Sequence, residues 1–305
     1  MWRRWECLTI RGRRWVSSLN SGNGTRWWDH VDSAPKDPIL GVTEAFLADP
    51  NPEKINLGVH SVVHYVELTS MIELAEALVM ELESLSSSVN LRLVEESAKL
   101  AYGEDSDAIK EQKYAGVLAL SGTGACHLFA KFQRHFYPKL CIFLSTPTWS
   151  KEKFQYYDPD SKGPQFAALI DDIKNVPDCS FFVHHLCAHN PTGVDPSEEQ
   201  WREISHQLKK KNHFPFFVMA YQGFASGGLD EDAKAICIFL DDGHLVGCAQ
   251  SYAKKMGLHG HRVGCLSKLQ QSKSQLQQID RAVYSSPPVH GVLLVSTSLT
   301  DSKLK

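Results

Sequence analysis

The stretch from Ser251 to Gly264 places several residues that could do chemistry close together. Within it, Lys254 follows a run of small and apolar residues and lies between Ser251 and Arg262. A lysine amine near apolar walls and other cations has a lowered pKa, which makes it a nucleophile able to form a Schiff base. The hydroxyl and the guanidinium suit an anionic group nearby. The alternative is that Lys254 and Lys255 are ordinary surface lysines in a polar turn.

Four earlier turns carry polar or aromatic groups that could line the same site. Ser121-Gly122-Thr123-Gly124-Ala125 lies between a predicted strand and a predicted helix, so its backbone N–H groups and hydroxyls could bind a phosphate. It is not a dinucleotide fingerprint, because His127 replaces the third small residue. The other three are Pro147-Thr148-Trp149, Asn190-Pro191-Thr192-Gly193 and Tyr221-Gln222-Gly223-Phe224. Each alone is a turn, but together they predict a concave site around a nucleophilic lysine.

Alternating strands and helices are predicted to position these turns. From Ala115 onward, short apolar runs alternate with helical segments, which is typical of an α/β domain with a mostly parallel sheet and helices on both faces. Right-handed crossovers would bring the turns together at the carboxyl edge of that sheet. The predicted strands are 116–120, 140–144, 180–187, 214–219, 245–249 and 262–267. The predicted helices are 39–47, 71–85, 91–101, 125–136, 166–175, 196–209 with Asp195 as its cap, 231–240 and 271–283.

Composition and charge exclude several classes of protein. The 305 residues are 43% hydrophobic and 22% charged, as in ordinary globular proteins, and the net charge of -3 gives no reason to expect nucleic acid or an acidic membrane as a partner. No apolar run is long enough to span a membrane. Residues 1–28 contain six arginines and one acid, Glu6, a pattern that predicts an organelle transit peptide; a basic tail without function is the alternative.

The eight cysteines form no Cys-x-x-Cys pair, so we expect reduced thiols rather than a disulfide framework. If residues 180–187 and their continuation formed one strand, His185, Cys187 and His189 would share a face and form a zinc candidate. The apolar run before them and the Asn190-Pro191 turn after them instead favour a buried strand that ends at a site. We therefore expect no metal.

Taken together, these motifs resemble the aspartate aminotransferases, which are fold-type I pyridoxal-phosphate enzymes, in a form similar to those of plant mitochondria. The resemblance is nearly continuous from about Val94 to Thr300, with another block from Ala34 to Val59. It implies a leader over 1–28, an N-terminal segment over 29–59, a divergent helical segment over 60–90 and a cofactor-binding large domain over 91–305. It also implies a homodimer in the mitochondrial matrix, with the cytoplasm as the alternative, that transfers the amino group of L-aspartate to 2-oxoglutarate.

The resemblance implies a role for each residue of the site. Lys254 would hold pyridoxal phosphate as an internal aldimine and then move a proton on the substrate. Asn190 and Tyr221 would bind the ring hydroxyl oxygen, with His185 behind them and Trp149 stacked on the ring. Arg281 would reach the distal carboxylate of a dicarboxylic amino acid or 2-oxo acid across the dimer. The residues implied for the phosphate are Ser121, Gly122, Thr123, Ser251 and Arg262.

Three departures from the family pattern predict impaired transamination. Val218 stands where the family has an aspartate that keeps the pyridine nitrogen protonated. The family pattern is lost from His60 to about Asn90, and the chain ends at Lys305, before the family's C-terminal small domain. The alternative is a catalytically dead cofactor-binding paralogue or a truncated partner subunit.

A different class of enzyme also fits part of the pattern. Ser251-x-x-Lys254 matches the Ser-Lys motif of penicillin-binding proteins, in which the serine is an acylated nucleophile. That class also needs Ser-Asp-Asn and Lys-Thr-Gly motifs, and neither occurs in this sequence. The sequence therefore favours Schiff-base chemistry.

Overall fold

The computed structural model of the chain describes residues 44–54, 86–147, 153–270, 273–285 and 287–301. Segment 44–54 contains a helix over 44–48 and a turn in which Lys54 Nζ donates to the carbonyl oxygens of Phe46 at 2.7 Å and Asp49 at 2.6 Å. This confirms part of the helix predicted over 39–47. The predictions for residues 1–28 and for a helix over 71–85 lie outside the described residues.

The rest of the described chain alternates helices with strands, as predicted. The helices are α1 (Ser86–Tyr102), α2 (Asp107–Lys110), α3 (Ser121–Phe136), α4 (Phe166–Asn175), α5 (Glu198–Lys210), α6 (Leu229–Asp241), α7 (Lys273–Val283) and α8 (Val289–Thr300). The strands are β1 (Tyr114–Leu120), β2 (Ile142–Thr146), β3 (Lys153–Gln155), β4 (Tyr157–Asp158), β5 (Gly163–Pro164), β6 (Phe181–His185), β7 (Phe214–Met219), β8 (Gly247–Ser251) and β9 (Val263–Leu269). No helix among these residues is long and apolar enough to cross a membrane.

Seven strands form one sheet in the order β1-β9-β8-β7-β6-β2-β3, and β4 pairs with β5 as a separate small hairpin. The pairs from β8 through β3 are all parallel, whereas β9 is antiparallel to both β1 and β8. β1 therefore runs in the same direction as the parallel strands, and its last residue lies at the same edge as theirs. This mostly parallel sheet confirms the predicted α/β class.

Helices cover both faces of the sheet, and the central strands β6 to β9 are buried along most of their length. On one face, Phe182 and Phe217 pack in a cluster with residues of α4, α5 and α6, including Ile173, Trp201 and Phe239. On the other face, residues of α3 and α7 pack on the sheet, and the rings of Phe129 and Phe216 stack with centroids 3.7 Å apart. Burial of each large side chain contributes about 1.5–3 kcal/mol, so this core fixes the strand ends.

Several predicted helix starts are wrong. Helix α1 begins at Ser86 rather than Leu91, and α3 begins at Ser121 rather than Ala125, so the predicted Ser121 turn is the first turn of that helix. Asp195 was expected to cap a helix starting at Pro196, but α5 begins at Glu198 and Ser197 is its N-cap. Ser197 Oγ accepts from the Gln200 backbone N–H at 3.3 Å, and Gln200 Oε1 accepts from the Ser197 N–H at 2.9 Å. This reciprocal pair satisfies two N–H groups that an aspartate two residues earlier cannot reach.

Candidate functional site

The predicted site turns follow strands that end at one edge of the sheet. Parallel strands place their carboxyl ends together, and β1, β2, β6, β7 and β8 all run the same way. Ser121 follows β1, the Asn190 turn follows β6 after a short loop, Tyr221 follows β7, and Lys254 follows β8. The topology therefore gathers the turns that the sequence singled out, as expected.

Lys254 lies in the turn after β8, and its amine faces a tyrosine. Its Nζ is 5.7 Å from the centroid of the Tyr221 ring, within the range of a cation–π contact. Although the residue as a whole is exposed, partial burial of the amine lowers the pKa of Lys254, and the positive charge of Arg262 lowers it further. Both causes increase the fraction of neutral, nucleophilic amine at neutral pH.

The amino end of α3 and the end of β8 form a candidate anion-binding site, the anion cradle. Ser121 and Ser251 are both buried, and their Oγ atoms lie 2.9 Å apart. The 16-residue helix α3 has no side-chain cap, so the first-turn N–H groups that follow Ser121 can meet an anion. Ser251 Oγ also accepts from the Ala253 N–H at 3.3 Å. These contacts engage the Ser251 hydroxyl away from Lys254, which argues against a Ser-Lys acyl-enzyme pair.

Glycines allow the chain segments of this cradle to approach closely. A Cβ on Gly264 would lie 2.6 Å from the backbone carbon of Ser121 and 2.7 Å from the Gln250 carbonyl oxygen. A Cβ on Gly122 would lie 3.0 Å from the Cβ of Ser251. In the same segment, the carbonyl oxygen of Arg262 accepts from the Ser121 N–H at 3.1 Å. Arg262 is thus tied by its backbone to the cradle it was predicted to complete.

Asn190 and His185 lie together after β6. The Asn190 N–H donates to Nδ1 of His185 at 2.9 Å, and the Asn190 side chain is exposed at the carboxyl edge. Burial lowers the pKa of His185 to about 4, so its ring is neutral at physiological pH and can accept this bond. Burial also raises the pKa of Tyr221, which keeps its phenol protonated and able to donate.

Val218 lies in the centre of this edge. Its strand register pairs it with His185 on β6 and with Ala249 on β8, and its side chain is half-buried. A valine in this position offers no charge and no hydrogen bond to a ligand. The site therefore lacks the carboxylate that the family resemblance requires at this position.

Three predicted site residues are not joined to this group by the structure. Trp149 lies outside the described residues. Thr123 is in the first turn of α3, but its side chain is exposed. Arg281 is exposed in the last turn of α7.

The zinc candidate also differs in the structure, because β6 ends at His185 and the alternation of a strand does not continue to Cys187 and His189. Among the described residues, no three histidines, cysteines or acids are grouped so that they could hold a metal ion. The seven cysteines within those residues are free thiols.

Sequence reasoning missed two residues that lie beneath the Asn190 turn. Ser145 and His189 are both buried, and the hydroxyl oxygen of Ser145 is 2.7 Å from Nε2 of His189. Asp195, expected to be a helix cap, instead accepts from the backbone N–H groups of Ala188 at 2.6 Å and His189 at 3.0 Å. The sequence offers one signal of this support, the His-x-x-Thr spacing at 189–192, and His189 was predicted only as a possible metal ligand.

Comparison with known proteins identifies relatives across most of the chain. The family model of class I and II aminotransferases matches residues 68–305. A mitochondrial aspartate aminotransferase of Arabidopsis thaliana is 53% identical over 92% of this chain and 71% of the relative. A mitochondrial aspartate aminotransferase of Xenopus tropicalis is 39% identical over 93% of this chain and 73% of the relative.

Solved structures agree with the sequence relatives. An aromatic-amino-acid aminotransferase from Burkholderia pseudomallei, covalently bound to pyridoxal phosphate, matches with a TM-score of 0.84 and 32% identity, over 92% of this chain and 76% of that one. The cytoplasmic aspartate aminotransferase of Saccharomyces cerevisiae matches with a TM-score of 0.83 and 31% identity, over 91% and 76%. The chain belongs to the class I and II aminotransferases, with the fold of the pyridoxal-phosphate enzymes among them.

Proposed function

We propose that this chain is a pyridoxal-phosphate-dependent aspartate aminotransferase, which transfers the amino group of L-aspartate to 2-oxoglutarate. The observation that supports it best is the pairing of an uncapped helix end with a lysine of lowered pKa. Ser251 ends β8 and belongs to the anion cradle, and Lys254 follows it by three residues in the turn after that strand. An aldehyde that carries a phosphate needs both features at a short separation.

The described residues fit most of this cofactor. The buried hydroxyls of Ser121 and Ser251 and the N–H groups at the start of α3 suit its phosphate, and the guanidinium of Arg262 suits the phosphate charge. The exposed amide of Asn190 and the phenol of Tyr221 suit the ring hydroxyl oxygen. Val218 does not fit the ring nitrogen, because it cannot hold a proton there.

When bound, pyridoxal phosphate supplies a carbonyl group that takes up the substrate's amino group and a ring that withdraws electrons from the substrate's Cα. Lys254 would hold the cofactor through its amine and would move the substrate's proton on Nζ. Its lowered pKa favours the neutral amine, which is the form that accepts a proton. Arg281, exposed on α7, would bind the distal carboxylate of a substrate on the partner subunit, since a guanidinium can bind a carboxylate through two hydrogen bonds.

We also propose that turnover is weak because of Val218. Without a carboxylate beside the ring nitrogen, a protonated pyridine would be a buried cation without a partner and would lose its proton. The ring would then withdraw electrons less strongly. A second reading follows from the same observation: the chain holds the cofactor and acts mainly as a subunit without activity of its own.

Replacement of Val218 tests both readings. The variants are Val218→Asp and, as the matched control, Val218→Asn. Asparagine has the same shape as aspartate but carries no charge. The measurements are cofactor affinity, from the visible absorption of the bound cofactor, and the rate of transamination between aspartate and 2-oxoglutarate. We expect Val218→Asp to raise the rate by about 100-fold or more over the natural chain and over Val218→Asn, because only a carboxylate keeps the ring nitrogen protonated. Each tenfold step corresponds to about 1.4 kcal/mol of activation free energy.

Three outcomes would contradict the proposal in whole or in part. If the natural chain turned over at the rate typical of enzymes, about 10 per second or more, Val218 would not limit it. If Val218→Asp bound the cofactor but remained inactive, the subunit reading would replace the enzymatic one. Failure of the natural chain to bind the cofactor at all would remove both readings.

The proposal extends to location and assembly. Relatives named as mitochondrial enzymes and the basic leader over residues 1–28 support the mitochondrial matrix, with the cytoplasm as the alternative. The exposed position of Arg281 supports a homodimer in which it serves the neighbouring site. Import of a fluorescent protein fused to residues 1–28 into mitochondria would check the location, and sedimentation of the purified chain would check the dimer.

A further inference from the structure

A buried histidine, His189, lies beneath the turn that carries Asn190. His189 is 1% exposed, and both of its ring nitrogens have hydroxyl partners. Nε2 lies 2.7 Å from the Oγ of Ser145, at the end of β2, and Nδ1 lies 2.8 Å from the Oγ1 of Thr192, in the Asn190 turn. The His189 ring therefore connects the end of β2 to the turn that carries Asn190.

With its proton on Nε2, the neutral His189 ring matches both of its hydroxyl partners. Thr192 Oγ1 accepts from the Val194 N–H at 3.3 Å and can donate its own proton to Nδ1 of His189. Nε2–H then donates to Ser145. Burial and the nearby His185 lower the pKa of His189 to about 3, so the ring stays neutral and this arrangement persists across physiological pH.

Other contacts hold the same turn from its remaining sides. The His189 ring stacks on Tyr156 with centroids 4.0 Å apart, and the Tyr156 hydroxyl donates to the Val194 carbonyl at 2.7 Å. Asp195 accepts from the backbone N–H of His189 at 3.0 Å. Ser145 is the one member of this set that ties the turn to β2, the strand next to β6 in the sheet.

We infer that Ser145 and His189 are positioning residues, which hold the Asn190 turn so that its amide meets the ring hydroxyl oxygen of the cofactor. The inference rests on the proposed function, because it needs a cofactor at this edge of the sheet. A hydroxyl-to-imidazole bond buried at both ends resists displacement, since an unpaired Nε2–H in that place would cost about 1–3 kcal/mol. The turn is thereby fixed before the ligand arrives, which reduces the ordering cost of binding.

The test measures the pKa of the lysine-bound cofactor by titrating its visible absorption band at saturating pyridoxal phosphate. A donor on the ring hydroxyl oxygen competes with the Schiff-base nitrogen for that oxygen and lowers this pKa, so a displaced Asn190 should raise it. We expect Ser145→Ala to raise it by about half a unit and Asn190→Ala by about one unit. Ser145→Thr should leave the pKa of the lysine-bound cofactor at its natural value, because threonine keeps the hydroxyl group.

Ser205→Ala is the matched control for a merely structural loss. Ser205 is fully buried, its Oγ lies 3.0 Å from Nε2 of His244, and it belongs to α5, away from the site turns. Both serine variants should lower the free energy of unfolding by about 1–3 kcal/mol, but only Ser145→Ala should move the cofactor pKa.

The outcomes separate this inference from the proposed function. If Asn190→Ala moves the pKa while Ser145→Ala moves it no more than Ser205→Ala does, the positioning role is wrong and the proposed function stands. If the natural chain forms no visible band with pyridoxal phosphate, the proposed function is wrong and this inference falls with it.

Discussion

Lys254 and Lys255 are adjacent in the sequence but lie in opposite surroundings. Lys254 is exposed at the candidate site, whereas Lys255 is 8% exposed and is enclosed by the core. The Lys255 amine lies 4.3 Å from the centroid of the Tyr252 ring and 4.0 Å from the Met219 sulfur. No carboxylate of the described residues forms an ion pair with it. Lys255 is therefore a buried cation held by weak partners.

We expect Lys255→Met to stabilise the protein. Burial lowers the pKa of Lys255 from 10.5 to about 8, so folding disfavours its charged form. Below pH 8 both the folded and the unfolded chain carry the proton, and the full penalty applies, roughly 3 kcal/mol. Between pH 8 and 10.5 only the unfolded chain binds the proton, so the penalty shrinks as pH rises. Urea unfolding at pH 7 and pH 10 should show the larger gain at pH 7.

The control for this change is Lys254→Met, which removes an exposed charge and should alter stability by less than about 1 kcal/mol at either pH. An equal gain from both variants, or a gain that does not depend on pH, would contradict the account of Lys255.

A spacing pattern in the sequence could not distinguish the two lysines, since the burial of each depends on how the turn after β8 is folded. The alternative of a surface position for the pair is wrong for Lys255.

At the scale of elements, β9 brings the anion cradle together. Gly264 on this strand pairs with Ala119 of β1 and with Ser251 of β8, so the strand lies between the two segments that carry the serines. A Cβ added at Gly264 would lie 2.6 Å from the Ser121 backbone, which leaves no room for a side chain. The contact is with backbone atoms, which cannot move aside without disrupting the start of α3.

We therefore expect Gly264→Ala to lower the free energy of unfolding by about 1–3 kcal/mol and to weaken cofactor binding by about tenfold or more. Gly260→Ala is the matched control, because a Cβ at Gly260 meets nothing within 4 Å. Chemical denaturation and a pyridoxal phosphate titration of both variants check the prediction. Equal effects of the two substitutions would show that the close approach at Gly264 does not support the cradle.

Some elements could be predicted from the sequence because their apolar runs are bounded on both sides. The helix over Phe166–Asn175 and the strand over Phe214–Met219 were predicted with the observed bounds. The strand over Lys153–Gln155 was missed because three residues with one buried side chain show no period. The antiparallel direction of β9 was also not predicted, since an apolar run carries no information on strand direction.

At the scale of the whole molecule, strand order brings residues far apart in the sequence to one edge. Ser121 and Ser251 are 130 positions apart, yet their hydroxyl oxygens lie 2.9 Å from each other. Motif order and the α/β pattern predicted this edge, but not the support beneath it. Ser145 and His189 were missed because their contact joins the end of β2 to the turn after β6, and no local spacing signals it.

The arrangement of residues at this edge implies that pyridoxal phosphate is held on Lys254. The most direct measurement is borohydride reduction of the chain with one equivalent of the cofactor, followed by mass spectrometry of its peptides. We predict one phosphopyridoxyl group, on Lys254, with the label lost in Lys254→Met and retained in Lys255→Met. A label spread over surface lysines, or one that persists at the same level in Lys254→Met, would contradict the claim.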